Sequence, residues 1–298
     1  MNNERANTTP ASSGLTGLAA AFSGLVMLPH TLFALPFALT AIVLASYSAP
    51  VTWLKVLLIV TAFTGARSAA MAFNRLIDQH VDSRNPRTRG RHLPSGRLSR
   101  WQVWAFTIAA VAVFEVSAAL LGPLCLWLSP LALAVVFTYS WTKYFTAASH
   151  LVLGLALSIA PVGAYIAVTG SISTGVLILA AAVVFWVAGF DIIYSLQDEA
   201  FDRENGLFSI PACLGAGRAL WLSRGLHLLS FLGFSAVGAF FPVGVLYWAG
   251  VALIGAMLWY EHSLVSPGDL SRVNAAFFTV NGAVSLIFLG LNLTDRLL

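Results

Sequence analysis

The chain is 298 residues long, 58% hydrophobic and only 9% charged, with a mean hydropathy of +0.83. That composition excludes an ordinary soluble domain and places the chain among polytopic membrane proteins. The formal net charge of +4 does not point to nucleic acid, because the arginines concentrate in one membrane-flanking loop.

Residues 1–16, MNNERANTTPASSGLT, lack the basic n-region of a secretory signal and the Arg-rich look of a transit peptide. They read as a short disordered cytoplasmic leader to a single helical domain over 17–298. Apolar runs of about 20 residues, enough for a hydrocarbon core of about 30 Å, fall at about 20–46, 51–77, 101–121, 123–141, 150–169, 173–197, 218–237, 241–261 and 273–293. The expected fold is therefore all-α, with nine transmembrane helices. Basic residues orient them, since short cytoplasmic loops collect Lys and Arg. The connections after the second, fourth, sixth and eighth spans hold Arg84, Arg87, Arg89, Arg91, Arg97 and Arg100, then Lys143, then Arg203 and Arg218, then Arg272. The opposite side offers only Lys55 and Arg296. An N-in, C-out topology follows. Cys125 and Cys213 sit in different contexts and imply no disulfide framework.

Seven of the twelve acidic residues lie in two short stretches, Asp78 and Asp82 in one, and Asp191, Asp198, Glu199, Asp202 and Glu204 in the other. Carboxylates at the ends of apolar segments are costly unless something cationic neutralises them. Residues four apart share a helix face, so Asn74, Asp78 and Asp82 form one polar stripe near the end of the second span, and Asp191, Asp198 and Asp202 another near the end of the sixth. The two aspartate pairs have the same spacing, and 198 − 78 and 202 − 82 both equal 120, a hint of duplication. Each stretch runs into a polar loop, at 80–100 and 198–217, on the expected cytoplasmic side. Oxygen-rich stripes suit a hard cation such as Mg²⁺ together with phosphate oxygens. The six histidines lack His-x3-His spacing, so zinc is not indicated. Nearby cations, among them Arg84 and Arg91, suit the remaining oxygens of a diphosphate, since the guanidinium fork can hold two at once. The plainer reading is that Asp78 and Asp82 are solvated where the helix emerges, paired with Arg75 and Arg84.

The stretches AFNRLIDQHVDSRNPRT and DIIYSLQDEAFDRENGLFSIP resemble the UbiA superfamily of intramembrane aromatic prenyltransferases, and within it most resemble the branch called 4-hydroxybenzoate polyprenyltransferases. The resemblance implies nine helices around a central cavity, with Asn74, Asp78, Asp82, Asp198 and Asp202 holding Mg²⁺ against a polyprenyl diphosphate. It further implies that Tyr139 and Lys143, as Tyr-x3-Lys, touch the diphosphate, and that Arg67 steers the carboxylate of an aromatic acceptor. Asp191 and Tyr194 would line the cavity, with Asp191 orienting or deprotonating the phenol. Asp78 and Asp198, with Asp191, are then the expected catalytic carboxylates. Many relatives carry Asn-Asp where this chain has Asn74-Arg75, a position off the Asn74/Asp78/Asp82 face. Glu115 is expected to be a structural hydrogen-bonding partner and Trp186 packing.

The activity so implied is Mg²⁺-dependent 3-prenylation of 4-hydroxybenzoate in ubiquinone biosynthesis, in the cytoplasmic (inner) membrane, with the isoprenoid entering from the bilayer. The alternative within the class is another aromatic acid of menaquinone biosynthesis. Outside it, intramembrane carboxylates and a half-to-half echo also suit a secondary transporter.

Overall fold

A computed structural model describes residues 24–25 and 31–298; the expected leader and the start of the first expected span lie outside the described residues. The main helices are α1 (Thr31–Ala45), α2 (Trp53–Arg84), α3 (Arg100–Leu121), α4 (Pro123–Thr142), α5 (Ser149–Thr169), α6 (Thr174–Ser195), α7 (Ala216–Val237), α8 (Val245–Ser263) and α9 (Asn281–Leu297). Among the described residues the only β-type pairing is an isolated bridge between Ser266 and Asp269. Seven helical stretches are long and apolar enough to cross a membrane: α2 to α5, Thr174–Glu204, α7 and Ala275–Leu297. Helix α1 is shorter within the described residues, and α8 closes on Tyr260, Glu261 and His262, which dilute its hydropathy.

Two boundaries differ from the sequence reading in ways that shape the site. Helix α2 continues two turns past the apolar run ending near 77, so Asn74, Asp78 and Asp82 share one unbroken helix. It stops at Asn85, whose backbone is extended (φ −81°, ψ 120°), as Pro86 after it requires. Helix α6 instead ends at Ser195 and passes through a tight 3₁₀ turn, Leu196–Asp198, into the short helix Glu199–Glu204. Asp191 is thus on α6 while Asp198 and Asp202 lie beyond the break, so the second stripe is not one helical face.

Local chemistry fixes other joints. Gly122 adopts φ +140°, a region side chains avoid, and Pro123 opens α4 at once, folding α3 and α4 into a tight pair. Ser99 and Gln102 form a capping box at the start of α3. Glu115 accepts from Ser129 Oγ at 2.6 Å, tying α3 to α4.

The bundle has a dense half and a hollow half. Phe37 of α1 packs against Trp186 (4.8 Å between ring centroids), Phe234 (5.4 Å) and Phe288 (6.0 Å), joining α6, α7 and α9 in one aromatic core. Trp186 is fully buried there. In the other half, α2 to α5 surround an apolar cavity of about 630 Å³. The halves meet where α5 packs on α6, and Gly154 makes that approach possible. A Cβ at Gly154 would lie 2.4 Å from the Val184 carbonyl oxygen. Gly154→Val is expected to lower stability by about 1–3 kcal/mol, the usual cost of overpacking, read as a reduced melting temperature in detergent.

Candidate active site

One helical turn past cavity-lining Asn74, a polar cluster is built from the last turns of α2, the loop that follows, the chain just past α4 and the α6 exit. Asp78 is 3% exposed. Its Oδ2 receives Lys143 Nζ at 2.7 Å and its Oδ1 the Tyr144 hydroxyl at 3.1 Å, both from the chain just past α4. Burial, then the Asp78 charge, pushes the Tyr144 phenol well above its ordinary pKa, so the proton stays on the donor.

Asp82, one turn on, accepts two hydrogen bonds from Arg91 Nη1, at 2.7 and 2.8 Å. Arg75, expected off this face, reaches back to within 4.0 Å of Asp82 and is itself buried. Seven positions apart on one helix, Arg75 and Asp82 lie within about 20° of one another, so the guanidinium runs along the helix to the carboxylate two turns on.

The loop after α2 then crosses to the second acidic stretch. Asn85 Nδ2 donates to Asp198 Oδ1 at 3.0 Å, Arg87 Nε donates to the same oxygen at 3.0 Å, and Arg87 Nη2 grips Oδ2. Arg87 also donates to the Tyr194 hydroxyl at 3.3 Å and lies over that ring. Burial opposes the Arg87 charge, but the hydrogen bonds and charge of Asp198 outweigh it and raise the guanidinium pKa above its ordinary value. Tyr194 stacks on Phe277 with 4.0 Å between centroids. Asp191 accepts from His150 Nδ1 at 2.6 Å, and His150 Nε2 accepts the Ile210 N–H at 3.2 Å. The backbone donor fixes the tautomer, so a neutral His150 donates to Asp191.

Arg67, Asn74 and Tyr139 line the cavity itself, with apolar neighbours that include Phe63, Met71 and Phe114. Asp202 lies beside the Ser209 hydroxyl, with which it hydrogen-bonds. Arg84 stands apart: its guanidinium turns to His80 Nε2 at 3.0 Å on the exposed side of α2.

The described residues contain no group of three or more His, Cys, Asp or Glu gathered closely enough to be a finished metal centre. Three of the four aspartates at Asp78, Asp82, Asp198 and Asp191 are instead held by Lys or Arg. The donor set is nevertheless all oxygen, from carboxylates and the Asn74 amide, the preference of a hard divalent cation. The cations paired with it are the groups a phosphate would attract.

Tyr144, Asn85, Arg87 and His150 were not legible as site residues; Arg75 was expected only as an ion-pair partner of solvated aspartates, and it does reach Asp82, but Asp78 and Asp82 are buried rather than solvated. Arg87 is one of six arginines in a loop where the positive-inside rule already expects them. A single histidine opening an apolar helix carries no spacing signal.

An all-helical bundle with an apolar chamber, lined at one end by Arg67, Asn74 and Tyr139 and followed one helical turn on by the Asp78 cluster, defines a multi-pass membrane protein. The chain belongs to the UbiA prenyltransferase family, which residues 34–283 match. Among curated relatives, the 4-hydroxybenzoate octaprenyltransferase of Chromohalobacter salexigens is 28% identical over 228 residues, 76% of each chain. The protein of the same name from Vibrio parahaemolyticus is 27% identical over 84% of this chain and 88% of its own. Among solved structures, the apo UbiA homologue of Aeropyrum pernix K1 superposes with a TM-score of 0.82 at 37% identity, over 90% of this chain and 98% of that one. A homologue from Archaeoglobus fulgidus, bound to GPP and Mg²⁺, has the same fold, with a TM-score of 0.76 at 20% identity over 93% and 100% of the two chains.

Proposed function

We propose that the chain transfers a polyprenyl group from a polyprenyl diphosphate to the ring of an aromatic carboxylic acid, 4-hydroxybenzoate before others, at the position ortho to the hydroxyl. The observation that carries this reading is the continuity of the site: Arg67, Asn74 and Tyr139 line a cavity of about 630 Å³, and Asp78 follows Asn74 by one turn. An isoprenoid tail fits the apolar walls, a diphosphate fits the charged end, and Arg67 is a cation for the acceptor's carboxylate. The names of the curated relatives, and the GPP and Mg²⁺ in the Archaeoglobus fulgidus homologue, support the same choice.

Asn74, Asp78, Asp82, Asp198 and Asp202 would hold Mg²⁺, which when bound neutralises charge on the departing diphosphate. Lys143, Arg91, Arg75 and Arg87 are positioned to turn from the carboxylates to the diphosphate oxygens. The bond between the allylic carbon and the bridging oxygen breaks, its electron pair leaving with pyrophosphate. Apolar walls keep water from the allylic cation. The ring carbon ortho to the phenol oxygen then bonds to it, and the proton on that carbon is lost. Asp191, oriented by His150, is the carboxylate proposed to steer the phenol or take that proton. Tyr139 and Tyr194 shape the wall between the two substrates.

The chain is further proposed to span the bilayer nine times, N-in and C-out, in the cytoplasmic (inner) membrane, with the charged end of the site facing the cytoplasm. Quinone synthesis is its setting. Family membership displaces the transporter alternative.

Purified protein given a panel of aromatic acids and one polyprenyl diphosphate tests the acceptor by product mass. The prenylated 4-hydroxybenzoate is expected to dominate; a dominant product from a menaquinone-pathway acid would replace the ubiquinone assignment. Arg87→Ala removes a charge-assisted clamp worth about 1.5–3 kcal/mol. It is expected to raise the KM for prenyl diphosphate about tenfold or more, leaving the KM for the acid unchanged.

A further inference from the structure

A second cavity, of about 620 Å³, lies between α7 and α8, helices that carry none of the candidate active-site residues. The two helices are successive and antiparallel, so the early turns of α7 face the late turns of α8. At one end of the groove stand Arg224 and His262, flanked by Trp221 and Trp259; Leu228 and Phe231 line the other. Trp221 is 71% and Trp259 81% exposed, so the groove opens outward between two aromatic posts. Exposed Trp at the border of an apolar and a polar zone is the usual choice at a membrane interface.

Arg224 stacks on Trp221 at 4.7 Å, and no carboxylate lines the groove; Glu261 lies buried beneath it, 3.9 Å from His227 Nδ1, and accepts from Asn281 Nδ2 at 2.9 Å. The histidines add a directional feature. The Trp186 carbonyl only accepts, so His227 Nε2, 3.2 Å away, carries the proton it donates. In a neutral imidazole, His227 Nδ1 then accepts, and its donor is His262 Nε2 at 3.0 Å. The chain ends on His262 Nδ1, an acceptor lone pair. That atom is buried and has no hydrogen-bond partner among the described residues. The groove therefore presents a cation above an apolar slot, with the unfilled acceptor buried in its wall.

We propose that this groove binds an anionic membrane lipid whose headgroup carries both a phosphate and a hydroxyl. The phosphate takes Arg224, an acyl chain runs along Leu228 and Phe231, and the hydroxyl donates to His262 Nδ1 where the headgroup displaces the side chains that cover that atom. A basic pocket between membrane helices is the kind of surface that selects anionic headgroups, and a zwitterionic lipid supplies neither net charge nor a hydroxyl.

Native mass spectrometry on the delipidated full chain tests this, with dioleoylphosphatidylglycerol, dioleoylphosphatidylmethanol (same charge, no headgroup hydroxyl) and dioleoylphosphatidylcholine. The first phosphatidylglycerol is expected to bind about tenfold more tightly than phosphatidylcholine, with phosphatidylmethanol between them. Arg224→Gln is expected to weaken phosphatidylglycerol about fivefold, the worth of one cation near a membrane surface. Ser263→Glu sets a carboxylate at the exposed mouth and is expected to act in the same direction with an unchanged melting temperature, which covers a failure of Arg224→Gln to fold. Inorganic phosphate at millimolar concentration is expected not to compete. Equal binding of phosphatidylglycerol and either other lipid, insensitivity to the folded variants, or displacement by phosphate alone would each overturn the proposal.

Discussion

Asp78→Asn and Asp198→Asn are each expected to reduce prenyl transfer by about a thousandfold or more, the scale of losing preorganised charge where charge develops in a transition state. The amide keeps the size of the side chain and removes its charge. For Asp78 the change leaves Lys143 and Tyr144 facing a group that can no longer act as a metal-binding carboxylate. For Asp198 it leaves Arg87 and Asn85 competing for a single acceptor oxygen. Both contacts join separate chain segments, so a stability readout belongs beside the kinetics. Melting temperatures close to that of the unmodified protein, with activity lost, assign the effect to chemistry. A folded Asp78→Asn and Asp198→Asn pair that both retain turnover would remove the two residues from the mechanism.

The second large effect concerns the acceptor. Arg67→Ala is expected to raise the KM for 4-hydroxybenzoate by about 10- to 100-fold, in line with a charge-assisted hydrogen bond of about 1.5–3 kcal/mol. The KM for prenyl diphosphate should stay within about twofold, because Arg67 lies two helical turns before Asn74 on the cavity side. The methyl ester of the acid separates a carboxylate contact from a change in cavity shape. If Arg67 reads the carboxylate, the ester is a poor substrate for the unmodified protein and Arg67→Ala adds little further loss. An equal drop for acid and ester would assign Arg67 to packing instead.

The first motif was legible because helical periodicity holds through it: α2 does not break between Asn74 and Asp82, so spacing alone gives the shared face. The second was legible as chemistry but not as geometry. Its Asp198 ends, and its Asp202 follows, a 3₁₀ turn that no periodicity announces, so neither continues the regular α6 face of Asp191. Most opaque were the partners. Whether Arg91 or Arg87 meets a carboxylate depends on how a 15-residue loop folds over the bundle end, between Asn85 and Ser99, and whether Lys143 does depends on how the end of α4 packs against α2. The six arginines between 84 and 100 look alike in sequence, yet Arg91 clamps Asp82, Arg87 clamps Asp198, and Arg84, the last residue of α2, faces away to His80. Arg75 is about 100° round the helix from Asn74 but only about 20° from Asp82, seven positions on, so its pairing follows from a spacing that a face anchored on Asn74 overlooks. Trp186 and Glu115 were readable from the cost of burial alone: one needed a packed core, the other a hydrogen-bond donor.

The most direct test of the account is the joint yield of pyrophosphate and prenylated acid from the purified protein with geranyl diphosphate and 4-hydroxybenzoate, with Mg²⁺ and with excess chelator. The expected result is 3-geranyl-4-hydroxybenzoate and pyrophosphate in equal amounts with Mg²⁺, and neither with chelator. Undiminished product in chelator, or a folded protein that prenylates no aromatic acid under any of these conditions, would contradict it.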